Sequence, residues 1–199
     1  MVDLLIATTN LHKLEEYGQI FADLPVKLHS LRDVNIDIDV EETGETFREN
    51  ALLKAKFYAQ ESGMLALADD SGLEVAALNG EPGVRSARYA GPGASDLDRI
   101  NLVLKKLEGV PMHERLARFV CSIALARPDG TSEVVEGYLN GVIEHEPRGD
   151  NGFGYDPIFF VLDENATIGE LPAERKNQIS HRAVASKMAL EILKDWLAE

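Results

Sequence analysis

Short apolar runs that stop on polar residues and lead into capped amphipathic segments recur through this sequence, and they restrict it to an alternation of strands and helices. Leu4 to Ala7 reads as a buried strand ending in Thr8, Thr9 and Asn10, after which Leu11, Leu14 and Phe21 recur at helical spacing. Asn10 or Thr9 is the expected cap, which puts Lys13 in the first turn beside exposed amides, an arrangement that suits an anion. Leu31 to Val40 alternates Val34, Ile36 and Ile38 and is expected as a strand leading into the acidic loop Glu41, Glu42, Thr43, Gly44, Glu45. Thr46 with Glu49 forms a capping box, and Ala51, Leu52, Ala55 and Ala59 give the helix behind it an apolar face as far as Gly63.

Met64 to Ala68 is the next predicted strand, expected to end at Asp69, Asp70, Ser71 and Gly72, so that polar chemistry falls where an apolar strand leaves a sheet. Leu73 to Leu78 reads as a further short strand, and Ser95 with Asp98 caps a helix carrying Ile100, Val103, Leu104 and Leu107. Ala117 to Ala126 and Glu133 to Leu139 flank the turn Pro128, Asp129, Gly130 as an antiparallel hairpin, with a third strand at Gly141 to Glu144. Ile158 to Leu162 is strand-like, and a last helix presents Ala185, Met188, Ile192 and Trp196 on one face. No repeat or linker separates domains, so residues 1–199 read as one mixed α/β domain.

With 199 residues, 45% of them hydrophobic, the chain has the means to bury a sizeable core. Its 20 Lys and Arg against 34 Asp and Glu leave a formal charge of -14, which opposes wrapping a nucleic-acid backbone but not holding a small phosphate ligand through local cations or a divalent metal. The one cysteine, Cys121, lies in the apolar run Phe119 to Ala126 and reads as a buried thiol. The start lacks the basic, long-apolar pattern of a secretory leader and no run reaches bilayer length, so a cytoplasmic protein without a membrane partner is the expectation.

Asp69 and Asp70 are the foremost chemical candidates: adjacent carboxylates on an extended chain diverge, so that one can face a metal or water while the other supports it. A solvated turn explains the same letters. Glu42 and Glu45 offer oxygens that suit Mg2+ together with Asp70, or are simply part of an acidic surface. Lys13, Lys54, Lys176 and Arg182 are the cationic candidates, each read singly as an ordinary surface charge. Gly152, Phe153, Gly154, Tyr155, Asp156 and Pro157 combine a permissive backbone, an aromatic face and a carboxylate, the components of a purine pocket or of a tight turn with core aromatics. His181 and Arg182 carry donors for a base carbonyl or phosphate, and Ser71 suits phosphate positioning or a loop hydrogen bond. No GxxxxGK[ST] loop, strand-linked GxGxxG, zinc spacing or G-x-S-x-G elbow occurs.

Taken together, these segments resemble the family of inosine and xanthosine triphosphate pyrophosphatases, the Ham1-like enzymes. The resemblance rests on Ala7 to Lys13, on Thr46 to Ala51 with Lys54, on Ala68 to Leu73, on Pro82 to Ala90, on Gly152 to Phe159, and on Lys176, Asn177 and Ile179 to Arg182. It implies a mixed central β-sheet flanked by helices, with two lobes around a nucleotide-binding cleft, and a homodimer. It also implies Mg2+-dependent attack at the α-phosphorus that turns ITP, dITP or XTP into the monophosphate and pyrophosphate. On this resemblance Asp70 is catalytic and Glu42 and Asp70 lie near Mg2+. Substrate contacts fall to Thr8, Asn10, Lys13, Lys54, Ser71, Phe153, Gly154, Tyr155, Asp156, Lys176, His181 and Arg182. Lys13 and Lys54 are then on the phosphates, and Phe153 stacks on the base. A related pyrophosphatase for modified pyrimidine or standard nucleotides, and a non-catalytic nucleotide sensor, are the competing readings.

Overall fold

The computed structural model describes residues 2–198 and has a mixed α/β fold with a central β-sheet flanked by helices. Strand β1 (Val2–Ile6), helix α1 (Leu11–Ile20), β2 (Val26–Ser30), helix α2 (Phe47–Ser62) and β3 (Leu65–Val75) come first. They are followed by α3 (Asp96–Lys106), β4 (Leu116–Ala126), β5 (Ser132–Ile143), β6 (Phe159–Val161), β7 (Ala166–Thr167), α4 (Ala173–Ile179) and α5 (His181–Ala198). The strands form one sheet in the order β2-β1-β3-β4-β5-β6-β7. β1 runs parallel to both neighbours, with Leu4 opposite Leu28 and Leu65, whereas β6 is antiparallel to β5 and β7.

Contacts divide the chain into two compact units. Of the described residues, the first contains 2–70, 121–137 and 182–198. Here β1, β3 and β4 have runs buried on both faces, which is why they read as continuous apolar runs rather than alternating ones. Leu4, Ile6, Leu67, Cys121, Ile123 and Leu125 point to one side, under Tyr17 and Phe21 of α1 and Ala185, Ala189 and Leu193 of α5. Leu5, Ala66, Ala68, Ala124 and Ala126 point to the other, under Ala51, Ala55, Tyr58 and Ala59 of α2. The second unit, 71–120 and 138–181, has its own core of Leu73, Val75, Ile100, Val103, Leu107, Phe119, Ile143, Ile158 and Phe159.

Several boundaries differ from the sequence expectations. Leu31 to Val40 is not a strand: the carboxylate of Asp33 accepts from the Ser30 amide and hydroxyl, Asn35 takes φ 54°, and the chain turns instead of extending. The strand there is β2, whose mixed Val26–Ser30 sequence carries little periodic signal. β3 does not end at Asp69 but continues to Val75, absorbing the start of the separate strand expected at Leu73, because both acids have buried partners that let them stay in the ladder. The strand expected at Gly141 is the continuation of β5. On α5, Met188 is exposed, and the packed face is Ala185, Ala189 and Leu193 with Ile192 and Trp196 beside them.

Candidate active site

In the first unit two helix starts supply the polar groups. Asn10 caps α1 by accepting from the amides of His12 (3.0 Å) and Lys13 (3.3 Å), and its own amide donates to Thr8 Oγ1 at 3.1 Å. That cap fixes Lys13 in the first turn, with its Nζ 2.7 Å from Asp69 Oδ2. At α2 the capping box of Thr46 and Glu49 is formed. Asn50, fully buried in the next position, then joins two parts of the site: its Oδ1 accepts from Gly44 N at 2.7 Å and its Nδ2 donates to Asp70 Oδ2 at 3.0 Å. A Cβ on Gly44 would stand 2.6 Å from Asn50 Oδ1, so glycine is what allows the acidic loop to approach. One turn further along α2, Lys54 Nζ lies 2.5 Å from Glu42 Oε1 and 3.9 Å from Asp70 Oδ1.

Strand pleating sends the two aspartates to different surroundings. Burial alone would raise the Asp69 carboxyl, but Lys13, Arg182 and Lys54 outweigh it and hold the group well below the ordinary carboxylate range. Asp70 goes the other way: burial, with the Glu42 charge adding to it, lifts its pKa to about 6 against the pull of Lys54 and the Asn50 hydrogen bond. Asp69 is thus saturated with cations, and Asp70 is a carboxylate kept at the edge of ionisation. Lys54 is itself half-buried, and Asp70, Asp69 and Glu42 more than offset its loss of solvent and keep it protonated.

Among the described residues no three His, Cys, Asp or Glu side chains converge as a ready-made metal cage. Mg2+ does not need one, since it is held by one or two carboxylates with waters and substrate phosphate oxygens. Glu42 and Asp70 fit that role: both present hard oxygens around the Lys54 ammonium, and Asp70 is a poorly solvated acid that a nearby cation would favour ionised. Glu41 and Glu45 are exposed, so Glu42 is the acid of this loop that reaches the buried set.

The second unit holds the aromatic turn. Gly152 and Gly154 take φ 78° and 63°, a conformation that favours glycine, and they frame Phe153. A Cβ on Gly152 would lie 2.0 Å from Asp156 Oδ2, the atom that accepts from Phe153 N at 2.9 Å and from Lys176 Nζ at 2.9 Å. Lys176, carried by α4, places its ammonium 4.3 Å from the centre of the Phe153 ring. The Tyr155 hydroxyl is turned inward and donates to Ser86 O at 2.9 Å, while Gly154 N donates to Asp96 Oδ2 at 2.6 Å. His181 stacks on Phe119, ring centres 4.8 Å apart.

Thr8, Asn10, Lys13, Glu42, Lys54 and Asp70 therefore gather in the first unit, and Phe153, Gly154, Tyr155, Asp156, Lys176 and His181 in the second. Ser71 follows Asp70 in β3 and is half-buried. The Arg182 side chain is 1% exposed within the first unit, with Nη2 3.4 Å from Asp69 Oδ2 and Nη1 against Glu16. Residue-by-residue reading assigned no task to Asn50, Glu16 or Asp96. Asn50 alone leaves a trace, as a polar residue beside Ala51 on the buried side of an amphipathic helix.

The sequence model of the Ham1 family matches residues 4–192. This chain belongs to the Ham1 family. It is 51% identical over 197 residues to the dITP/XTP pyrophosphatase of Geobacter sulfurreducens, covering 99% of this chain and 97% of that protein. Against the dITP/XTP pyrophosphatase of Bacillus subtilis it is 44% identical over 193 residues, covering 97% of this chain and 98% of the relative. Two solved Ham1 structures share the fold. The Coxiella burnetii protein superposes with TM-score 0.91 at 44% identity, covering 98% of this chain and all of the other, 100%. The Staphylococcus aureus protein gives 0.88 at 43% identity, covering 97% and 98%. The two polar groupings are therefore set in a Ham1 chain.

Proposed function

We propose that this Ham1 protein hydrolyses dITP and XTP, and ITP with them, to the nucleoside monophosphate and pyrophosphate, clearing purines such as hypoxanthine and xanthine from the nucleotide pool. The observation that carries the reading is Asp70, a buried carboxylate with its pKa at about 6, set between Asn50, Lys54 and Glu42 in a chain whose full-length relatives bear the name dITP/XTP pyrophosphatase. A general base is most effective when its pKa lies near the working pH, and burial moves Asp70 in that direction.

Lys13 and Lys54 bind the triphosphate and neutralise charge that grows on the leaving pyrophosphate. Asp70 takes the proton from the attacking water as the new bond to the α-phosphorus forms and the bond to the bridging oxygen breaks. Asn50 keeps Asp70 oriented and ties the Glu42 loop to it. Glu42 and Asp70 would hold Mg2+, which would supply Lewis-acid polarisation of the phosphates. Phe153 stacks on the base, and Asp156 holds the Lys176 ammonium beside that ring as a donor. Donors from Lys176 and His181 favour the O6 carbonyl of hypoxanthine or xanthine over the 6-amino group of adenine. A pocket without a partner for the 2-amino group disfavours guanine. On the family resemblance the active form is a cytoplasmic homodimer, which light scattering over a wide concentration range tests.

The deciding experiment is a panel of dITP, ITP, XTP, dATP, dGTP and dUTP, with and without Mg2+, with products separated by anion exchange. Monophosphate and pyrophosphate from dITP, ITP and XTP, only with Mg2+, are expected. Preference for the pyrimidine or the standard purines would move the protein to the related pyrophosphatases, and tight binding without pyrophosphate release would make it a sensor.

A further inference from the structure

Helix α3 carries two acids in its first turn, and only one of them completes its cap. Asp98 completes the capping box: its carboxylate accepts from the Ser95 amide (2.8 Å) and hydroxyl (2.6 Å), and its amide donates to Ser95 Oγ. Asp96 is not needed for that cap. Its Oδ2 instead accepts from the backbone amide of Gly154, 58 residues away, at 2.6 Å, and its Oδ1 pairs with Arg99. Arg99 in turn donates to Ala94 O at 2.7 Å and Ala87 O at 3.0 Å, so the carboxylate is aimed by a guanidinium that is itself anchored to two stretches of backbone.

The turn Asp96 reaches is the one that presents Phe153. Three of the hydrogen bonds that hold it involve successive residues: Phe153 N to Asp156, Gly154 N to Asp96, and the Tyr155 hydroxyl to Ser86 O. The first lies within the turn and the third ends on a neutral carbonyl, so Asp96 is the one charged acceptor brought to these three from a separate element. Gly154 takes φ 63°, with nothing within 4 Å of a notional Cβ. We infer that Asp96, aimed by Arg99, is a positioning residue that fixes the Phe153 turn and so governs which base the protein accepts. A charge-assisted hydrogen bond to an amide is strong for its kind, and it acts on the residue adjoining the ring. The selectivity part of this inference rests on the proposed triphosphate hydrolysis.

The test compares Asp96→Ala, which removes the acceptor, with Asp96→Asn, which keeps a carbonyl oxygen at the same reach. In Asp96→Ala the KM for dITP is expected to rise roughly tenfold, the scale of one lost charge-assisted hydrogen bond, with kcat within about twofold and the preference for dITP over dGTP narrowed. Asp96→Asn is expected to restore most of the KM and the preference. Hydrogen exchange read on the peptide spanning 152–156 is independent of turnover and should speed up in Asp96→Ala but not in Asp96→Asn. Unchanged exchange in Asp96→Ala, or faster exchange with KM and base preference unmoved, would overturn the inference. So would a kcat loss that follows the folded fraction while KM stays constant. If the unaltered chain hydrolyses neither dITP nor XTP, the proposed function fails by itself, and exchange together with Kd for IMP by calorimetry decides the role of Asp96.

Discussion

Replacing Asp69 with asparagine should cost this protein more stability than any surface change, and the reason lies in the company that carboxylate keeps. Asp69 Oδ2 sits 2.7 Å from Lys13 Nζ and 3.4 Å from Arg182 Nη2, and the side chains of Asp69 and Arg182 are each 1% exposed. The substituted amide would retain a carbonyl oxygen but no charge, so the Lys13 ammonium would lose its anion and the buried guanidinium would depend on Glu16. Breaking a buried pair by removing one partner costs about 3–5 kcal/mol. At roughly 2–4 °C per kcal/mol for a chain of this size, that is a fall in Tm of about 6–20 °C. Burial works against ionisation of Asp69, and its cations overcome it, so the native carboxyl is held below its ordinary pKa of 3.8. The carboxylate therefore stabilises the fold fully above about pH 4, and that contribution is lost as pH falls further. Urea unfolding of Asp69→Asn and the parent at pH 7, 5 and 3 measures this directly. The gap should be the same at pH 7 and 5 and narrower at pH 3; a gap below about 1 kcal/mol at pH 7, or one that widens toward acid, would refute the buried-pair account.

Asp70→Asn should act in the opposite sense on stability while removing activity. Because folding raises the Asp70 pKa from 3.8 to about 6, the ionised carboxylate opposes folding above that pH. Without Mg2+, Asp70→Asn is accordingly expected to be about 2–3 kcal/mol more stable than the parent at pH 8, with the advantage gone below about pH 4. Its dITP turnover should fall on the order of 10²–10⁴-fold, and turnover near the parent's at every Mg2+ concentration would take Asp70 out of the mechanism. Phe153→Ala should weaken nucleotide binding by roughly 1–3 kcal/mol through loss of a stacking face, and a Kd for IMP identical to the parent's by calorimetry would reject the ring as the base platform. The Cys121 thiol, fully buried and pushed up to about 12, should resist a disulfide reagent at pH 8 until denaturant is added; stoichiometric labelling of the native chain within minutes would contradict that burial.

What the sequence disclosed about this fold followed from local chemistry. The caps at Asn10, Thr46 and Ser95 are short-range hydrogen bonds between residues two or three apart, and each helix begins where its cap letters stand. Lys13, Lys54 and Asp70 were legible because each adjoins such a signal or an apolar strand. Long-range pairing was not. The bend after Leu31 is local, with Asp33 three residues from Ser30, and the alternation of Val34, Ile36 and Ile38 masked it, whereas nothing near Asp69 announces that Lys13 and Arg182 will neutralise it and allow β3 to run on to Val75. Arg182 is a case of the same kind: its buried guanidinium pairs with Glu16 and Asp69, 166 and 113 residues away. The bonds from Asn50 to Asp70 and from Asp96 to Gly154 span 20 and 58 residues, distances at which a lone sequence carries no pairing information.

The central claim is that water, activated at Asp70, attacks the α-phosphorus of a dITP or XTP molecule whose phosphates are held by Lys13 and Lys54. Hydrolysis of dITP in water enriched in the heavy oxygen isotope, with Mg2+ present and both products analysed by mass spectrometry, tests it most directly. One labelled oxygen in dIMP and none in pyrophosphate is the predicted result. Label in pyrophosphate, or release of inorganic phosphate in its place, would put the attack at another phosphorus and contradict the account.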